Sequence, residues 1–193
     1  MQAYIQNYIE RLTATIASLP HDRIARLGAS LLRAYRNDKQ VFTVGNGGSS
    51  STASHMAADL AKNTIGPNMR RFRIASLNEN TAIVTALAND LGYEHIFSEQ
   101  LINVIQPGDV LVAVSASGNS PNVLEAIRLA RRENAEVMAL LGFDGGEAAK
   151  LADNAIVVPS SDYGVVEDVH LVINHMLVEY FQASLAELRP WVL

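Results

Sequence analysis

The 193-residue sequence predicts an α/β domain, a doubly wound sheet of five parallel strands with helices on both faces and two further helices ahead of it. Three observations predict it. Short apolar runs recur at Val41–Val44, Phe72–Leu77, Val110–Val114, Val137–Leu141 and Ala155–Val158, and they are continuous rather than alternating, as in strands buried on both faces. Helical patterns separate them, as parallel crossovers require. Finally, the runs ending at Val44 and Val114 each lead through a loop of small polar residues straight into a helix.

In order, Tyr4, Ile5, Tyr8, Ile9, Leu12 and Ile16 mark an amphipathic helix from Ala3 to Ser18, stopped by Pro20. Ile24, Leu27, Leu31, Leu32 and Tyr35 mark a second from Asp22 to Arg36. The simplest doubly wound sheet has no place for this pair (residues 1–37), so it either covers its own sheet or packs on another subunit. The core, residues 38–193, opens with the first strand and a helix from near Ser49, which breaks at Gly66-Pro67. After the second strand come a helix from Glu79 to Leu87, an irregular piece from Ala88 to Tyr93, and a helix from Glu94 to Val104. Pro107-Gly108-Asp109 is a turn. Following the third strand, Ser120 reads as N-cap and Pro121 as a first-turn residue of a helix whose pattern runs from Val123 to Arg132. The fourth strand, the turn Asp144-Gly145-Gly146, a short helix to Ala152 and the fifth strand precede a long helix from Val165 to Leu188, with Pro190 beyond.

At this length one domain is expected. With 49% hydrophobic and 18% charged residues the chain is globular rather than disordered. Its net charge of −5 gives no broad footprint for nucleic acid, and Arg70, Arg71 and Arg73 read as solvated strand-edge charges. With no cysteine, disulfides, thiolate metal sites and a cysteine nucleophile are excluded. The amphipathic, acidic start differs from a signal peptide, and no apolar stretch approaches the ~18–20 residues that span a bilayer, so the expected location is cytoplasmic.

The chemistry lies at two loops. Gly45 to Ser50 lacks the third glycine of a dinucleotide fingerprint, and no Gly-Lys-Ser/Thr tripeptide exists for a Walker A loop. What remains is an anion site: Ser49, Ser115, Ser117 and Ser120 offer hydroxyls beside free amides at helix starts. One such loop is weak evidence, because Gly and Ser are ordinary turn residues; two at equivalent places in a βα pattern point to a phosphomonoester on a small sugar. One turn further on, His55 and Asp59 share a helix face. On the last helix, His175 lies within about a quarter turn of the direction of Glu167 and closer still to Asp168, so either carboxylate can accompany it. Taken singly, each of these reads better as a cap or a packed histidine. Together they make a nitrogen and oxygen set suited to a divalent metal.

GNGGSSSTASH with a carboxylate four residues on, LANDLGY, SASGNS, LLGFDGG and EDVHLVINH resemble, in order and spacing, the sedoheptulose-7-phosphate (phosphoheptose) isomerases of the SIS-domain superfamily. The resemblance implies a flavodoxin-like SIS domain over residues 1–193 and a homotetramer with active sites between subunits, the leading helices serving oligomerisation. It implies an aldose–ketose isomerase that converts sedoheptulose 7-phosphate to D-glycero-D-manno-heptose 7-phosphate by enediol proton transfer. Phosphate would be held by the loop serines Ser115, Ser117 and Ser120, and sugar by Asn46, Gly47, Gly48, Ser49, Asn89, Asp90 and the Ser115-Ala116 loop. One zinc per subunit would be held by His55, Asp59, Glu167 and His175, with Asp59 as first candidate base, Glu167 as its substitute and His175 as second acid/base. Two residues depart from the family pattern: Asp59 is one methylene shorter than the family's glutamate, and Glu167 replaces a neutral glutamine. Tyr163-Gly164-Val165-Val166 stands where the family has an Asp-Arg pair. Some SIS-domain relatives are non-catalytic, sensing phosphosugars or binding the bacterial replication initiator, and that is the rival expectation.

Overall fold

A computed structural model describes residues 1–66 and 70–187. The helix break at Pro67, the helix end at Leu188 and Pro190 lie outside the described residues. Ahead of the sheet come helices α1 (Gln2–Ala17) and α2 (His21–Arg36), then β1 (Val41–Gly45), α3 (Gly48–Asn63), β2 (Ile74–Ser76) and α4 (Thr81–Asp90). A 3₁₀ turn (Tyr93–His95), α5 (Ser98–Ile102), β3 (Val110–Ser115), α6 (Pro121–Arg132), β4 (Glu136–Leu141), α7 (Gly146–Leu151), β5 (Asn154–Val157) and α8 (Tyr163–Glu187) follow. All strand pairs are parallel, in the order β2-β1-β3-β4-β5. No described helix is long and apolar enough to cross a membrane.

The three central runs have the burial they predict, while the edge strands β2 and β5 are buried at alternate or fewer positions. Along β3, Val110, Val112 and Val114 face one core with α2, α3 and α8, while Leu111 and Ala113 face the other with α5 and α6. Strand order reverses between β1 and β3, and in open α/β sheets ligands bind in the crevice beyond the strand ends at such a point. The two Gly/Ser loops are the ones that follow β1 and β3.

Two expectations need correction. The helix expected from Glu94 to Val104 is a 3₁₀ turn and one short helix, because its start closes with i→i−3 bonds, His95 N–H to Gly92 O and Ile96 N–H to Tyr93 O, rather than with α-helical ones. The amide of Gln100 donates to Leu77 O and Ile96 O and ties this segment down. In addition, α4 runs on to Asp90, so Asn89 and Asp90 end a helix rather than sit in an irregular piece.

Both leading helices pack on the chain itself, α2 on the sheet and α1 on the last helix. Leu27 and Leu31 of α2 are fully buried against the chain's own sheet. Helix α1 lies on α8 instead: Tyr8 Oη donates to Asp168 Oδ2 at 2.6 Å and Arg11 pairs with Asp162 at 2.5 Å. Its Tyr4, Ile5 and Ile9 remain half or more exposed. Asp162 also caps α8 by accepting the Val165 N–H, and this bond, followed by Arg11, holds its carboxyl below the usual range.

Candidate active site

A cleft of about 250 Å³ opens at the switch point, lined by Asn46, Gly47, Gly48, Ser49, Ser115, Ala116, Ser117, Ser120, Tyr163 and Glu167. Three helices, α3, α6 and α8, begin at its walls, each presenting the positive end of its dipole. Ser115 Oγ accepts from the Gly118 N–H at 3.1 Å and Ser117 Oγ from the Asn119 N–H at 3.3 Å. Each hydroxyl proton then remains to be donated, which suits an anion's oxygens.

The second loop is braced by the turn after β4. Gly142 N–H donates to Ala116 O, Ala148 N–H to Gly118 O, and Glu147 N–H to Asn119 Oδ1. Gly118 has φ +63° and packs against the Gly145 carbonyl so closely that no side chain fits. The sequence run LLGFDGG thus acts as a buttress for SASGNS.

Between α3 and α8 stands a separate cluster of polar side chains. His55 Nε2 is 3.0 Å from Asp59 Oδ2, His175 Nε2 is 3.8 Å from the same oxygen, and the two imidazole nitrogens are 3.4 Å apart. Donors on one tetrahedral zinc at ~2.0–2.1 Å stand roughly 3.3 Å from one another, so this triangle fits a divalent cation. His55, Asp59 and His175 form the one such group among the described residues. Asp59 is oriented from behind by Asn174 Nδ2 at 3.0 Å and Asn63 Nδ2 at 3.1 Å. Both imidazoles are about half exposed, and the carboxylate much less so.

Glu167 stands apart from that triangle. Eight residues of helix, roughly 12 Å of rise, separate it from His175, and its carboxylate lies against Gly48 in the cleft. Asn89 and Asp90 are exposed at the end of α4, outside the cleft lining, with Asn89 donating to Asp90 at 2.7 Å. Asn63 and Asn174 carry no site role in the sequence reading, and Tyr163 enters it only as a departure from the family pattern. Asn63 was signalled by its place four residues after Asp59, and Asn174 only by adjoining His175.

His170, one turn past Glu167, is fully buried; its Nε2 lies 3.0 Å from the Leu141 carbonyl and must carry the proton. Burial pushes its pKa down to about 4, with the Leu141 bond opposing in part. A histidine depressed from about 6.5 contributes stability that is present above that pH and is lost as pH falls toward 4. Wild-type melting temperature is therefore expected to fall between pH 6.5 and 4 more steeply than that of His170→Gln, as scanning calorimetry would show.

The SIS domain family profile matches residues 3–142. A phosphoheptose isomerase of Pelobacter propionicus is 38% identical over 162 residues, 84% of this chain and 85% of that one. The chain belongs to the phosphoheptose isomerase family. Another family member, from Chlorobaculum parvum, is 37% identical over 180 residues, 92% of this chain and 86% of the relative. Among solved structures, phosphoheptose isomerase from Neisseria gonorrhoeae superposes with a TM-score of 0.87 at 28% identity, covering 94% of this chain and 98% of that one. The family's SIS fold is the five-stranded parallel sheet described above.

Proposed function

We propose that this protein is a phosphosugar aldose–ketose isomerase that interconverts sedoheptulose 7-phosphate and D-glycero-D-manno-heptose 7-phosphate. The observation that carries the reading is the His55–Asp59–His175 triangle, acid/base and metal-binding groups held on two packed helices in a chain of this family. Ser115, Ala116, Ser117 and Ser120 hold the phosphate in the cleft where three helices begin. Asn46, Gly47, Gly48 and Ser49 contact the sugar, and Asn89 and Asp90, exposed outside this chain's cleft, contact sugar held by a neighbouring copy.

In the ketose-to-aldose direction the C1–H bond breaks, its proton passes to Asp59, and an enediol forms across C1 and C2. The proton returned to C2 and the transfer of one hydroxyl proton from O1 to O2 complete the exchange. His175 carries the oxygen-bound proton. Asn63 and Asn174 keep the Asp59 carboxylate aimed at the cluster. A divalent cation, zinc by the chemistry of the donor set, would supply charge stabilisation at the two oxygens when held by His55, Asp59 and His175. Glu167 is a further ligand or a second base. The working form is a cytoplasmic homotetramer with sites between subunits, and the exposed Tyr4, Ile5 and Ile9 of α1 are apolar surface available to a second copy.

Elemental analysis of the purified protein, joined to NMR-monitored conversion of sedoheptulose 7-phosphate before and after chelation, tests this. About one metal per chain is expected, with turnover lost on chelation and restored by zinc. Metal-free protein that binds phosphosugars without converting them would overturn the reading in favour of a non-catalytic sensor.

A further inference from the structure

We propose that Asn122 is a positioning residue that presents Asn46 to the sugar, with Tyr93 completing the clamp. The two asparagines join the first Gly-rich loop to the start of α6. Asn46 Nδ2 donates to Asn122 Oδ1 at 2.8 Å, and Asn122 Nδ2 donates back to Asn46 Oδ1 at 2.8 Å. Asn122 is 1% exposed and Asn46 lines the cleft.

The orientation of each amide is fixed by the network. Val123 N–H, which can only donate, reaches Asn122 Oδ1 at 3.0 Å, so that atom is the oxygen. Its partner on Asn46 must then be the nitrogen, and the other atom of Asn46 the oxygen. Tyr93 Oη, 3.0 Å from Asn46 Oδ1, is consequently the donor of that bond. Asn46 Oδ1 thus accepts two hydrogen bonds, and one proton of its Nδ2 is committed to Asn122. The second Nδ2 proton is left for the cleft. Asn46 can therefore give a hydrogen bond to a sugar oxygen, while the pairing denies it the flipped state in which it would accept one.

Apart from its own Val123 N–H, Asn46 is the hydrogen-bond partner of the Asn122 side chain among the described residues. Ser120 and Pro121 already start α6, and the Asn122 side chain makes no direct approach to the cavity lining other than Asn46. Tyr93 arrives from the 3₁₀ turn and is 56% exposed, so its hydroxyl is tied to the loop without being part of the core. The clamp thereby sets the donor side of Asn46 from two elements distant in the chain.

The inference rests on the reading of Asn46 as a sugar contact, and a double-mutant cycle separates the two. Asn122→Ala is expected to lower kcat/KM roughly 10- to 100-fold, mostly through KM, as misplacing a contact group does. In an Asn46→Ala background the same change should cost less than about twofold, because a residue acting only through Asn46 has nothing left to position. Equal losses in both backgrounds would overturn the inference while leaving Asn46 as a contact. An Asn46→Ala variant as active as wild type would overturn both readings.

Tyr93→Phe, at an exposed position, keeps the test open if Asn122→Ala folds poorly. It should cost roughly two- to fivefold in kcat/KM alone, and nothing in the Asn46→Ala background. A readout independent of turnover is the NMR spectrum of the side-chain amides. Asn122→Asp is expected to shift the Asn46 amide pair, since the carboxylate can accept from Nδ2 but cannot return a hydrogen bond. An unchanged Asn46 signal would overturn the clamp.

Discussion

Asp59→Asn is expected to abolish sugar-phosphate turnover without unfolding the protein, lowering kcat by roughly 10²–10⁴-fold, the range for loss of a positioned acid/base. The substitution keeps size and shape but removes the charge from the one carboxylate of the triangle. The new amide would face the amides of Asn63 and Asn174, two donors that a carboxylate satisfies and an amide nitrogen does not. Bound metal should fall in parallel, measured on the same preparations. Glu167→Gln, by contrast, is expected to reduce kcat less than about tenfold, because Glu167 lies in the cleft against Gly48 and outside the triangle. NMR assays of both variants beside their melting curves decide the assignment. Loss of turnover in Glu167→Gln alone would transfer the base to Glu167.

Gly118→Ala should be the most damaging single methyl in the phosphate loop. A left-handed backbone costs a non-glycine residue ~1–2 kcal/mol, and crowding a well-packed site adds ~1–3 kcal/mol. Here the added carbon would strike the Gly145 carbonyl oxygen and lie 2.7 Å from its carbon, and neither is the free end of a side chain. The sum, ~2–5 kcal/mol, corresponds to a melting temperature lower by roughly 5–15 °C in a domain of this size. Phosphate affinity should fall with it, because the loop is what moves. Gly108→Ala is the comparison: its φ is also positive, but the nearest atom is the end of the Lys39 side chain, at 3.0 Å. That variant should lose only the backbone cost, ~1–2 kcal/mol, and no activity. Equal destabilisation by both would show that the buttress contributes nothing.

The sheet was legible because its signal is local. Runs such as Val110–Val114, buried on both faces, can be read from composition alone, and the two loops of small residues marked the strand ends at the switch point. The segment after Gly92 was not legible, because the tie that holds it, Gln100 Nε2 donating to Leu77 O, joins residues 23 apart and leaves no periodic signal. At the site, His55 and Asp59 were visible as a helical pair, and His175 joined them in space as the resemblance implied. Asn174 and Asn122 act through partners more than seventy residues away, a relation that no spacing rule encodes. Glu167 shows the limit of angular reasoning along a helix. Its direction agreed with that of His175, but eight residues of rise place it in another cluster.

That rise has a consequence for how the protein behaves on dilution. Glu167 and His175 ride on one uninterrupted helix, α8, so no loop movement within a chain shortens the gap between them. A cation bound by the His55–Asp59–His175 triangle must complete its shell with water or with a group brought by a second molecule. If the Glu167 of a neighbouring copy fills that place, metal retention becomes a property of the assembly. Activity would then decay with subunit dissociation rather than with unfolding, and would fall as the protein is diluted at constant metal.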